Sequence, residues 1–137
     1  MKKIVAAALA VATVSSLAFA APKNLKGKKA SAGKVFNVYV WNDEFPSRFK
    51  DYFEAKGKVP AGVKVNFIQT PNADNAYQNK LDEVLLAQEK AKADKLVDMF
   101  LVEADYALKY VDTPYTLDVK KDIGLTDEDL KNQYKYT

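Results

Sequence analysis

Three short stretches of the chain hold side chains suited to gripping a ligand: Trp41-Asn42-Asp43-Glu44, Thr70-Pro71-Asn72 and Glu103-Ala104-Asp105-Tyr106. They combine carboxylates, amides and aromatic rings. That mixture suits a sugar. A pyranose lays its CH face on an aromatic ring, and its hydroxyls donate to Asp and Glu oxygens. Each such charge-assisted bond contributes ~1.5–3 kcal/mol in a water-poor cleft. In this reading Trp41 is the stacking platform, and Asn42, Glu44, Glu103 and Asp105 are the polar clamps. Each has a plainer alternative. Trp41 also fits core packing at a strand end, and Asp43, Glu44 and Asp105 also fit helix N-termini, where acids are favoured. Glu103 follows an apolar strand directly and precedes any helix, which favours a site role. Tyr77 falls at helical spacing and reads as core, while Tyr106 and Tyr110 fit either role.

Other chemistries are poorly served. The chain has no Cys and no His, so thiol nucleophiles, disulfides, the usual zinc ligand sets and Ser-His-Asp triads are ruled out within it. Ser47 is the only serine beyond residue 34 and has no base. The five glycines are scattered and form no phosphate loop. Asp43, Glu44 and Asp105 would suit Mg²⁺, but such proteins usually work with cytoplasmic phosphate donors. A glycosidase would need an acid and a base flanking one bond; the residues permit this without specifying it. No catalytic residue, metal ligand or cofactor is assigned.

The elements that must position these loops follow from periodicity. Val35–Trp41 is β-branched, aromatic and nearly continuous in apolarity, as in a strand covered on both faces of a parallel sheet. Phe45, Phe49, Tyr52 and Phe53 fall on one helix face, with Pro46 in the first turn and Gly57 placed to end the helix. Val63–Ile68 alternates as a second strand, and Asp74 is an N-cap candidate. Tyr77, Leu81, Val84, Leu85 and Gln88 mark the inner face of a helix reaching about Ala93. Val97–Val102 reads as a third strand and Asp105–Tyr110 as a short helix, broken at Pro114. Thr126 caps a last helix whose first turn is Asp127, Glu128 and Asp129. Alternation of this kind predicts an α/β fold with a three-stranded, mainly parallel sheet. Ligands of such sheets sit outside the carboxyl ends of the strands, where the three stretches lie.

The start of the chain reads as an export signal. Met1-Lys2-Lys3 precedes the apolar run Ile4–Ala12, small residues follow, and Ala18-Phe19-Ala20 is a cleavage box. The run is too short and too rich in Ala and Ser to favour a membrane anchor. No Cys follows the box, so lipid anchoring is not expected. Cleavage near Ala20 gives a soluble periplasmic or secreted product. Residues 21–34 form a Lys-rich, acid-free stretch expected to be a flexible leader, although attraction to an anionic membrane also fits it. From Val35 on, 14 basic residues stand against 18 acidic ones, a net charge of −4. That argues against nucleic acid as a partner. With 137 residues, 48% of them hydrophobic, the chain suffices for one packed domain over 35–137.

The ordered set of a signal peptide, Val38-Tyr39-Val40-Trp41-Asn42-Asp43-Glu44-Phe45, Asn75–Asp82, Asp98–Val111, Asp122–Thr126 and Asn132-Gln133-Tyr134 resembles family 1 extracellular solute-binding proteins. These are the maltodextrin-binding-like receptors of ABC importers. The resemblance spans Val35–Thr137 and implies the periplasmic-binding-protein fold: two α/β lobes that close on a carbohydrate ligand, with docking on permease subunits and no catalysis. By that likeness Trp41, Asn42 and Glu44 belong to the first cleft loop, and Glu103 and Asp105 to the third. Two such lobes need roughly 300 residues, so the chain is expected to be a truncated first lobe that binds sugar poorly by itself. The complete receptor is expected to be a monomer. Two other readings are an exported carboxylate-rich hydrolase or Mg²⁺-dependent enzyme, and a small exported protein-interaction domain.

Overall fold

The computed structural model describes residues 34–111 and 113–134. The expected signal peptide, and the leader apart from Lys34, lie outside the described residues. Three strands form one open sheet: β1 (Val35–Val40), β2 (Lys64–Gln69) and β3 (Met99–Phe100), in the order β2-β1-β3. Both pairings are parallel, with Val35 opposite Lys64 and Val38 opposite Met99. The architecture is mixed helix and strand, compatible with the α/β class. No helix among the described residues is long and apolar enough to cross a membrane.

β1 is covered on both faces, as its continuous apolarity requires. Phe36, Val38 and Val40 point to one side, where Phe45, Val63, Val65, Phe67, Met99 and Leu101 close over them. Tyr39 points to the other and packs with Tyr77, Leu81, Leu85, Val97 and Tyr110. The first layer is supplied by helix α1 (Glu44–Phe49), which runs on into a wider π-helical turn over Lys50–Glu54. Phe45 and Phe49 meet the Phe67 ring edge-on at 6.3 and 5.5 Å. Tyr52, expected on this inner face, is instead 64% exposed. The π turn widens the helix after Phe49, so the spacing of four that carries Phe45, Phe49 and Phe53 stays inward and Tyr52 rotates out. Gly57, at φ +65°, ends the segment: its N–H donates to Glu54 O at 2.9 Å and the Lys58 N–H to Phe53 O at 3.1 Å, a Schellman closure.

The second layer is helix α2 (Ala76–Leu86), which buries Tyr77, Leu81 and Leu85. Two expectations fail at its ends. Asp74 is no N-cap: Asp74 and Asn75 both hold left-handed backbone, at φ 49° and 58°, Asn75 takes the cap position, and no side chain caps the helix. Asp and Asn tolerate that conformation better than other non-glycine residues. The helix also stops at Leu86 rather than near Ala93. The reason is tertiary. The buried Gln88 amide donates to Val97 O at 2.9 Å and accepts from the Val97 N–H at 2.9 Å, pinning the chain where it turns back toward the sheet.

β3 is shorter than the expected Val97–Val102. Its flanks still bond to β1, the Asp98 N–H to Asn37 O at 3.2 Å and the Leu101 N–H to Tyr39 O at 3.1 Å. The short helix expected over Asp105–Tyr110 is a single 3₁₀ turn, Ala107–Lys109. The last helix, α3 (Asp127–Leu130), has the expected cap: Thr126 Oγ1 accepts from the Asp129 N–H at 3.3 Å, and Asp129 Oδ2 accepts from the Thr126 N–H at 2.8 Å.

Candidate functional site

In a parallel sheet all strands end on the same side, so the stretches after β1, β2 and β3 meet there. A side-chain bond links the outer two. Asn72 Nδ2, after β2, donates to Glu103 Oε2, after β3, at 3.4 Å. Since β1 lies between β2 and β3, this long contact spans the carboxyl end of the central strand, next to Trp41 and Asn42. Trp41, Asn42 and Glu103 therefore share one end of the sheet.

Beneath them Tyr77 fixes the strand ends. Its hydroxyl lies 3.0 Å from Tyr39 O and 2.7 Å from Leu101 O, both acceptors, and it accepts from the Leu101 N–H at 3.1 Å. One phenol from α2 thus joins β1 to the residue that follows β3. Trp41 packs edge-on against the Tyr77 ring, centroids 5.4 Å apart, and stays only partly buried. The core-packing reading of Trp41 holds in part: the side chain packs against the Tyr77 cluster and stays partly exposed. Burial pushes the Tyr77 phenol well above its usual range, so it stays protonated.

The remaining candidates divide. Asn42 Oδ1 accepts from the Glu44 N–H at 3.1 Å, closing the turn into α1, and its amide NH₂ has no partner among the described residues. Asp43 occupies the N-cap position of α1 without a side-chain bond. Glu44 turns along α1 and takes two bonds from Arg48, at 3.2 Å from Nε and 3.0 Å from Nη2, so its carboxylate is already engaged on the helix surface. Glu103 and Asp105 are exposed, and Asp105 caps nothing, since Tyr106 holds the N-cap position of the 3₁₀ turn. The structure thus links Asn72 to Glu103 at the end of the sheet where β1 also runs into Trp41 and Asn42, and leaves Glu44 paired aside.

Tyr106 is the least settled side chain nearby. Its ring lies edge-on to Tyr110 at 6.4 Å, and its buried hydroxyl has no hydrogen-bond partner among the described residues. Burial raises its pKa; the Glu103 backbone amide opposes this electrostatically without reaching hydrogen-bond geometry, and the Glu103 and Asp105 charges add to the rise. Tyr110, raised chiefly by burial, donates to Asp82 Oδ1 at 3.0 Å while Lys109 pairs with the same carboxylate, tying the 3₁₀ turn to α2.

A second polar cluster lies deeper, on the α2 face of β1. The Asn37 amide donates to Asp94 O at 3.0 Å and Leu96 O at 2.9 Å, and accepts from Asn66 Nδ2 at 2.9 Å. The Asn37 N–H donates to Asp98 Oδ2 at 2.8 Å. Burial pushes the Asp98 carboxyl up to about 6, only partly offset by that bond. Asn37 uses both amide N–H groups and its oxygen within the protein, and Gln88 bonds through both its nitrogen and its oxygen, which reads as structural.

Asn72 is the residue that sequence reasoning passed over as a clamp. Its position directly after Pro71 at a strand end was its one signal. No group of three or more His, Cys, Asp or Glu among the described residues is arranged to hold a metal ion. Comparisons of the chain with protein-family models, with curated proteins and with solved structures give no match.

Proposed function

We propose that the chain is a non-catalytic sugar receptor of the solute-binding kind, the first lobe of a protein that takes up a sugar or oligosaccharide outside the cytoplasmic membrane. In this reading the protein hands its ligand to an ABC-transporter permease. The observation that carries the proposal is the Asn72–Glu103 contact, at 3.4 Å, which joins the loops after β2 and β3 at the end of the sheet where β1 also ends. Support comes also from the chemistry on that surface. Trp41 offers a partly exposed aromatic ring, Asn42 an amide NH₂ with no partner among the described residues, and Glu103 an exposed carboxylate with one oxygen outside the Asn72 contact. Those are a stacking platform, a donor and an acceptor for a pyranose. Asp105, exposed two residues beyond Glu103, is a further acceptor, and Glu44 would join only by leaving Arg48. Glu103 and Asp105 are exposed and Trp41 and Asn42 partly so, and in this reading an opposing lobe completes the cleft.

Trp41 is the only tryptophan, so its emission reports on this surface alone. A panel of mono- and oligosaccharides titrated into the full chain is expected to change that emission saturably, in the weak, roughly millimolar range proper to one open wall. Glu103→Ala is expected to remove the response while the far-UV circular dichroism stays unchanged. No saturable change with any sugar up to roughly 100 mM, or a response unaltered by Glu103→Ala, refutes the assignment.

A further inference from the structure

Strand β2 presents an open edge. The Lys64 N–H donates to Lys34 O at 2.7 Å and the Thr70 N–H to Val40 O at 2.9 Å, which sets the parity of the ladder with β1. The even-numbered residues of β2 therefore turn their backbone groups inward. Val65, Phe67 and Gln69 turn theirs outward, and those groups have no partner among the described residues. Proteins usually guard such an edge with a short strand, a proline, a bulge or an inward charge. β2 runs six residues, in unbroken register with β1, without proline, and its only charged side chain is Lys64 at the start.

We propose that this edge pairs antiparallel with β2 of a second copy, joining two three-stranded sheets across a two-fold axis at Phe67. An isologous contact requires a surface complementary to itself, and the spacing meets that condition. The outward groups sit at 65, 67 and 69, evenly about Phe67. Phe67 then faces Phe67 of the second copy, and Val65 faces its Gln69. Each facing pair exchanges two N–H···O bonds, roughly six in all. Charge agrees as well: Lys64 lies opposite Thr70 of the second copy, so the two lysines stand at opposite ends of the seam. A seam of backbone bonds covers much less than the ~1,600 Å² of an ordinary stable interface. The association is therefore weak and dependent on concentration.

The test uses the full chain, by sedimentation velocity and amide hydrogen exchange from about 1 µM to about 1 mM. The expected result is a shift from monomer to dimer, accompanied by slower exchange at Val65, Phe67 and Gln69. Gln69→Pro removes one outward N–H per copy and leaves the β1 ladder intact, since Pro is tolerated at such an edge. It is expected to weaken dimerisation roughly tenfold or more. A chain that stays monomeric throughout overturns the proposal, as does a dimer in which the three amides exchange as fast as in dilute protein. Should Gln69→Pro fail to fold, exchange in the unaltered chain decides alone.

Discussion

Tyr77→Phe isolates the bond that holds the strand ends together. The ring stays, so no cavity opens and the edge contact with Trp41 at 5.4 Å is kept. Only the hydroxyl goes. It carries one hydrogen, so it donates to one carbonyl at a time, and Leu101 O at 2.7 Å is nearer than Tyr39 O at 3.0 Å. The Leu101 N–H, which donates to the hydroxyl, also reaches Tyr39 O at 3.1 Å and keeps a partner after the substitution. The loss is thus one donor to the Leu101 carbonyl, in a region where Tyr77 is 1% exposed. An orphaned buried acceptor costs about 1–3 kcal/mol. With a urea m-value of about 2 kcal/mol/M, the midpoint falls by about 1 M while m is unchanged. Urea unfolding followed by Trp41 emission and by far-UV circular dichroism measures this. A midpoint within about 0.2 M of the parent would mean that the hydroxyl contributes nothing and that the strand ends are held by the β1–β3 ladder alone.

Two further perturbations address the polar interior. Asp98 has a folded-state pKa raised to about 6, above its ordinary value, so the folded protein binds its proton more tightly than the unfolded chain does. The resulting destabilisation is absent below about pH 4, grows as pH rises to about 6 and is constant above. Asp98→Asn keeps an acceptor for the Asn37 N–H and is expected to stabilise the protein by about 1–3 kcal/mol at pH 7, a gain that vanishes toward pH 4. Unfolding of both proteins across that range checks it, and a gap that does not close toward acid pH contradicts it. Gln88→Ala strands both the N–H and the C=O of Val97, and is expected to cost about 2–4 kcal/mol and to speed amide exchange at Val97; a loss below about 0.5 kcal/mol would show that water replaces the amide without penalty.

What was legible locally and what was not divide along one physical line. The apolar run of β1, the alternation of β2, the spacing of Phe45, Phe49 and Phe53, and the cap at Thr126 depend on neighbours within a turn or a strand, and they stand within one residue of where periodicity put them, β2 running Lys64–Gln69 rather than Val63–Ile68. The parallel order likewise follows from alternating strands and helices, and with it the meeting of the three loops. The end of α2 was not legible. Ala87–Ala93 contains only good helix formers and polar residues, and nothing local stops a helix there. The stop comes from Gln88 engaging Val97 nine residues on. The left-handed pair Asp74-Asn75 was hidden in the same way, because either residue is equally at home as a cap. At the site, the residue types were readable, but the Asn72–Glu103 contact joins positions 31 apart and depends on strand order. The engagement of Glu44 by Arg48 was the opposite case, a local pair at i and i+4 that spacing alone could have disclosed.

Asn37, the one polar side chain inside β1, fixes more than its own bonds. Moving β1 along its neighbours by a single position would swap the two faces of the strand. The amide would land among Phe45, Phe49 and Phe67, severed from the carbonyls of Asp94 and Leu96, and Val38 would be thrust against them in its place. Stranding an amide in hydrocarbon costs several kcal/mol, roughly 2–7. An all-apolar strand would slide far more cheaply, so this single amide works as the key that admits one alignment of the sheet and bars the next.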